Sequence, residues 1–126
     1  KNSDVVTVSV HLNKKTKNIF NKFFFKKMKK NSIFINTSRG EIVDEISLIK
    51  ALKSKKIKSA AVDVIQGEQK KDITKNRLFK YSKQNENLII TPHMAGLTYE
   101  SEKMAADITL SKLNDYFKNN NNFKKN

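Results

Sequence analysis

NSIFINTSRGEIVDE, residues 31–45, decides how the rest of the chain is read. A short apolar run, Ile33-Phe34-Ile35, passes into small polar residues and then into Arg39-Gly40. That is the profile of a buried strand over 32–37 whose carboxyl end opens into a loop, with a helix starting at Asp44. In an open α/β sheet, ligands bind outside the carboxyl ends of the strands. Arg39 stands at such an end. The chain has 26 basic residues, and arginine occurs only at positions 39 and 77. A guanidinium offers two parallel N–H donors to a carboxylate or phosphate, which a lysine ammonium does not imitate. The plainer reading of Arg39 is an ordinary surface arginine.

Working outward, residues 4–10 (DVVTVSV) are rich in β-branched side chains, as in a strand covered on both faces. Residues 16–29 place Phe20, Phe24 and Met28 at i, i+4 and i+8, with Ile19 and Phe23 alongside, which predicts a helix with one wide apolar stripe. After Asp44, a reasonable N-cap, Leu48, Ile49 and Leu52 form a second apolar face, and Lys53 to Lys58 reads as its basic end and turn. Residues 59–64 (SAAVDV) predict a short buried strand, small on one side. A polar loop over 65–76 follows, then a short helical piece around 78–81. The last strand is 87–91, ending at the chain's one proline, Pro92. A long helix runs from Tyr99 to about Phe117, with Met104, Ile108, Leu110, Leu113 and Phe117 as apolar contacts. The Asn- and Lys-rich tail, 118–126, is expected to be disordered. Strands alternating with helices predict an α/β fold with a parallel sheet and right-handed crossovers, in one domain.

Composition narrows the function classes. The absence of cysteine removes disulfide and thiol chemistry and fits a cytoplasmic protein. The apolar runs are too short to cross a bilayer, and residues 1–10 read as structure rather than as a signal peptide. A net charge of +14 invites nucleic-acid binding. The lysines, however, are spread over nearly every segment, without an aromatic-interleaved stripe. A solvated basic surface with no specific nucleic-acid partner is the expectation.

Three strand ends fall on one edge of such a sheet: Arg39 after the second strand, Asp63 and Glu68 after the third, His93 after the fourth. Each alone has a plain reading: Glu68 as a loop acid, His93 as a strand cap, Asp63 as a tie for loop amides. Together they form a carboxylate clamp beside a general acid/base whose acidic partner sets its tautomer.

The blocks Asn36-Thr37-Ser38-Arg39-Gly40, Val43-Asp44-Glu45, Ala60-Ala61-Val62-Asp63-Val64 and Thr91-Pro92-His93 closely resemble the D-isomer-specific 2-hydroxyacid dehydrogenases. Ser3-Asp4-Val5-Val6 and Lys27-Met28-Lys29 agree in order and spacing, so the resemblance extends from Ser3 to about Leu113. It implies a doubly wound, Rossmann-like sheet, present here as a partial domain: the C-terminal part of the NAD-binding domain over 1–117, with its returning helix. It implies that Arg39 binds the substrate carboxylate and C2 oxygen, that His93 is the acid/base, and that Glu68 holds and polarises His93. Asp63 would bond the nicotinamide carboxamide, Thr37 and Ser38 would lie against that ring, and His93 through Ala95 and Gly96 would close over it. The implied cofactor is NAD, with NADP not excluded, and the implied substrate is a 2-hydroxy or 2-oxo acid. The full-length form would be a homodimer. A scaffold that only senses NAD, as in corepressors resembling this family, is the second reading.

Two departures stand out. Gln69 follows Glu68 where the family has proline, and Ser9-Val10-His11 replaces its His-x-Pro, leaving His11 as a loop residue. The only glycines are Gly40, Gly67 and Gly96, so no G-x-G-x-x-G is present. On this reading the pyrophosphate-binding turn would precede residue 1, and the chain alone would bind NAD weakly or not at all.

Overall fold

A computed structural model describes residues 2–69 and 72–119. The chain forms two compact units, Lys1–His93 and Met94–Asn126. In the first, four parallel strands stand in chain order: β1 (Val5–Val8), β2 (Ser32–Asn36), β3 (Ile57–Val62) and β4 (Leu88–Ile90). The connecting helices are α1 (Lys22–Lys27), α2 (Glu45–Lys53) and α3 (Arg77–Ser82). Because the order advances one strand at a time, right-handed crossovers put all three helices on one face. That is one half of a doubly wound arrangement, and it bears out the parallel α/β reading.

Side chains in register divide the sheet. Phe34 pairs with Val6 and Ala60, and Ala60 with Leu88, so these residues point towards the helices. Phe34, Leu48 and Ile57 are fully buried there, and Phe25, Leu52, Leu78 and Leu88 nearly so. The Phe25 and Phe34 rings meet edge to face with centroids 5.1 Å apart, and Phe20 meets Phe24 at 4.5 Å. Residues Thr7, Ile35, Ala61 and Ile89 make the opposite row, which no helix of this unit covers. Among the described strands β1 is outermost, and Val5 is exposed.

Local signals explain where the observed elements differ from the expected ones. The helix expected over 16–29 is reduced to Lys22–Lys27. Asn18 adopts a positive φ of 53°, and the Asp44 N–H donates to the Phe20 carbonyl, drawing residues 18–20 out of helical geometry. Asn21 then caps α1, its side chain accepting from the Phe23 and Phe24 amides. This re-phases the stripe: Phe25 becomes the buried anchor, whereas Ile19 and Phe23 are exposed. β3 begins two residues early, because Lys55 turns the chain at φ 53° and Ile57 enters the core. Asp44 caps α2 as expected, accepting from the Ile46 and Ser47 amides at 3.1 and 3.4 Å.

The second unit contains a turn, in which the Leu97 amide donates to the Met94 carbonyl, and α4 (Tyr99–Asn119). Thr98 precedes α4 and accepts from the Ser101 amide at 3.2 Å. No second helix or strand is described in this unit, and Met104, Ile108, Leu110 and Leu113 are exposed on α4. The helix reaches Asn119, two residues past the expected end. The rest of the expected tail, 120–126, lies outside the described residues. No helix among the described residues is long and apolar enough to cross a membrane.

Candidate active site

Parallel strands deliver Arg39, Asp63, Glu68 and His93 to one edge of the sheet, at the carboxyl ends of β2, β3 and β4. Backbone pairing continues past the last strand residues. The Asp63 amide donates to Asn36 at 2.9 Å, the Thr91 amide to Val62 at 3.0 Å, and the His93 amide to Asp63 at 3.0 Å. The His93 main chain is thus fixed by the sheet itself. Its φ is 54°, a left-handed conformation that costs a non-glycine residue about 1–3 kcal/mol and persists only where surroundings impose it.

His93 Nδ1 lies 2.6 Å from Glu68 Oε1. An ionised carboxylate only accepts, so the proton between them belongs to Nδ1, and Nε2 is left for chemistry. The other Glu68 oxygen, Oε2, accepts from the Ile65 amide at 3.3 Å. Both carboxylate oxygens are therefore oriented. Side-chain exposure is 48% for His93 and 25% for Glu68, so the imidazole is open to a reactant while its partner is shielded. Asp63 is buried, and the Thr91 hydroxyl donates to its Oδ1. Asp63, Glu68 and His93 share a cleft of about 600 Å³ with Thr91, Pro92 and Phe79.

Arg39 occupies different ground. It lines a smaller cavity of about 360 Å³, between the ends of β1 and β2, with His11, Thr37 and Ser38. Its Nη1 donates to its neighbour's carbonyl, Ser38 O, at 2.7 Å, and the side chain is exposed. Ser38 is tied down: its hydroxyl donates to Val10 O at 2.7 Å and its amide to Asn36 Oδ1 at 3.1 Å. No hydrogen bond joins Arg39 to Glu68 or His93 among the described residues. The rim is common to all of them, but the acid–base pair and the guanidinium sit in adjoining cavities. Ala95 and Gly96 belong to the second unit, in the stretch before α4, where the Ser101 hydroxyl donates to Gly96 O.

Gly40 joins the two parts of the rim. A Cβ built there would stand 2.2 Å from the Ile65 carbonyl carbon and 2.5 Å from the Gln66 nitrogen. Only glycine lets the loop after β2 press against the backbone that carries Glu68. Sequence reasoning passed over Thr91 as a partner for Asp63, and over Glu45, Gln66 and Asn76. Of these, Asn76 carried a legible signal as an N-cap before Arg77-Leu78.

The family model for the D-isomer-specific 2-hydroxyacid dehydrogenase NAD-binding domain matches residues 1–95. The chain belongs to this family. It is 43% identical over 105 residues to the glycerate dehydrogenase of Methylorubrum extorquens, covering 83% of this chain and 32% of that protein. Among solved structures, the D-lactate dehydrogenase of Aquifex aeolicus with NAD and lactic acid superposes with a TM-score of 0.72 at 28% identity, over 93% of this chain and 38% of that one. A family member from Xanthobacter autotrophicus in complex with NADPH gives a TM-score of 0.64 at 31% identity, over 74% and 28%. The chain spans between 20% and 38% of the length of the first curated relatives it matches.

The fold is the Rossmann-like half sheet of the dehydrogenase family. Asp63 supplies a carboxylate acceptor for a carboxamide at the end of β3, and Thr37 and Ser38 supply a held stretch of backbone beside it. These residues fit the nicotinamide end of NAD. The 126 residues contain no glycine-rich turn, so none is assigned to the pyrophosphate.

Proposed function

We propose that this chain supplies the acid–base and nicotinamide-side residues of an oxidoreductase that interconverts D-2-hydroxy acids and 2-oxo acids. The observation that carries the reading is the 2.6 Å contact between His93 Nδ1 and Glu68 Oε1 at the carboxyl edge of the sheet. Bound NAD supplies or accepts the hydride at C2, and the protein orients that exchange. In reduction, the His93 imidazolium gives its Nε2 proton to the carbonyl oxygen of the substrate. In oxidation, neutral Nε2 takes the hydroxyl proton, and Glu68 stabilises the charge that forms on the ring. Arg39 binds the substrate carboxylate with its forked donors, which it can do by turning from Ser38 O. Asp63 accepts from the carboxamide N–H, held for that purpose by Thr91.

The paired Glu68 and His93 argue against a scaffold that only senses NAD, since sensing needs no oriented proton carrier. A cysteine-free chain supports a reducing, cytoplasmic setting. Homodimerisation of the longer protein is part of the same proposal. The test is a screen of the dehydrogenase that carries this chain for NADH oxidation against a panel of 2-oxo acids. Turnover lost on His93→Ala and on Arg39→Ala is expected. Near-normal turnover in either variant would overturn the assignment. For the 126-residue chain alone, calorimetry should detect weak NAD binding or none.

A further inference from the structure

Glu45 is the first residue of α2, and its side chain is buried, with the residue 7% exposed. It has no part in capping the helix, because Asp44 already does so. Its carboxylate instead gathers the two ends of the loop between β3 and α3. Oε1 accepts from the Gln66 amide at 2.8 Å, and the Asn76 side-chain nitrogen reaches Oε1 at 3.1 Å and Oε2 at 3.2 Å. Asn76 Nδ2 also lies 3.1 Å from Gln66 O, so residues 66 and 76 are bound to each other and to Glu45. Gln66 Nε2 adds a bond to Val43 O at 2.6 Å. One acid therefore ties Gln66 and Asn76 together at the start of α2.

Glu68 lies between Gln66 and Asn76 in the chain. Its orientation depends on the Ile65 amide, which directly precedes the Gln66 amide held by Glu45. The proline that usually follows this glutamate in the family is replaced by Gln69, so no ring stiffens the loop at that point. Burial pushes the Glu45 carboxyl above the usual carboxylate range, and the bonds from Gln66 and Asn76 oppose that shift.

We propose that Glu45 is a positioning residue, which ties Gln66 to Asn76 and so holds the Glu68 carboxylate on His93 Nδ1. The inference rests on the reading of Glu68 and His93 as the acid–base pair. It is tested on the full 126-residue chain by nitrogen-15 NMR of the imidazole, which reports which nitrogen carries the proton in the neutral ring. Amide exchange at Gln66 is the second readout. The parent chain shows the Nδ1–H form, and Glu68→Ala, which removes the acceptor, moves the proton distribution away from it. Glu45→Ala moves it in the same direction and speeds Gln66 exchange by on the order of tenfold or more, the loss of a bond to a charged acceptor. The amides of Phe34 and Ala60 keep their shifts. Glu45→Gln keeps an acceptor oxygen and restores the parent pattern, and Glu45→Ala adds nothing to Glu68→Ala.

If Glu45→Ala disperses the sheet signals, Asn76→Ser decides. A serine still caps α3 but loses the bonds that Nδ2 makes to Glu45 and to Gln66 O, and it is expected to act as Glu45→Ala does. An unchanged proton distribution and unchanged Gln66 exchange, in whichever variant keeps the sheet, overturn the proposal. If Glu68→Ala itself leaves the imidazole unchanged, the acid–base pair fails first and the role of Glu45 falls with it.

Discussion

At the ends of β3 and β4, polar side chains are bound to one another: Glu68 to His93, Asp63 to Thr91, Glu45 to Asn76. At the ends of β1 and β2, the polar side chains bond to main chain instead. Ser38 reaches Val10 O, Asn36 reaches Arg39 O at 3.0 Å, and Arg39 reaches Ser38 O. The first region is rigid, with both Glu68 oxygens and the His93 backbone already bonded, which is what the proposed proton transfer needs. The second fixes its loop but leaves the guanidinium at the surface, as suits a group that exchanges one carbonyl partner for a substrate carboxylate. One edge of one sheet therefore carries a rigid part and an adjustable part, and Gly40 is the contact between them.

The largest effect that would sharpen this contrast is expected from the rigid side. On the proposed function, His93→Ala should lower kcat of the longer protein for 2-oxo acid reduction by roughly 10²–10⁴-fold, the span of general acid–base catalysis, in steady-state assays. Next comes the contact between the parts. Gly40→Ala must displace the backbone at Ile65 and Gln66, costing about 1–3 kcal/mol in urea unfolding as overpacking does, and kcat should fall with it as Glu68 shifts. On the adjustable side, Arg39→Lys keeps the charge but loses the fork. It should raise KM for the 2-oxo acid by about tenfold, the worth of one charge-assisted bond, with little change in KM for NADH. An effect on kcat as large as that of His93→Ala would break the division of labour.

The smallest effect is on stability against pH. Burial raises the Glu45 pKa, so its contribution to stability is full below about 4.5 and is lost as pH rises through the folded value. The Thr74 hydroxyl lowers the Asp72 pKa, so that contribution is present above 3.8 and is lost as pH falls. Glu45→Gln should therefore remove a decline in stability on the neutral side of pH 4.5, and Asp72→Asn a loss on the acid side. Urea midpoints from pH 3 to 7 check both signs.

Much of this was legible in the chain. The Ile33-Phe34-Ile35 run, the Asp44 cap and the SAAVDV stretch place β2, α2 and most of β3, because each is specified by neighbours within one or two turns. Putting Arg39, Asp63, Glu68 and His93 on one edge needed only the parallel order of the strands. The first helix was misphased because apolar spacing from Phe20 to Met28 competes with a tertiary pairing of Phe20 to Val43, which lies 23 residues away. The role open to Glu45 was hidden for the same reason. Its partners are 21 and 31 residues distant, and nothing in a Val-Asp-Glu block separates a buried latch from a solvated helix start.

The sequence by itself determined the alternation of strands and helices, the residue types at each strand end, and membership of the 2-hydroxyacid dehydrogenases, because those depend on local periodicity and on short ordered blocks. Tertiary structure alone decided which aromatic fills the core, which oxygen of Glu68 faces His93, and that Gln66 and Asn76 are tied together by an acid on another helix. Those outcomes depend on distances between segments far apart along the chain, and packing and hydrogen-bond geometry fix them only once the sheet has formed.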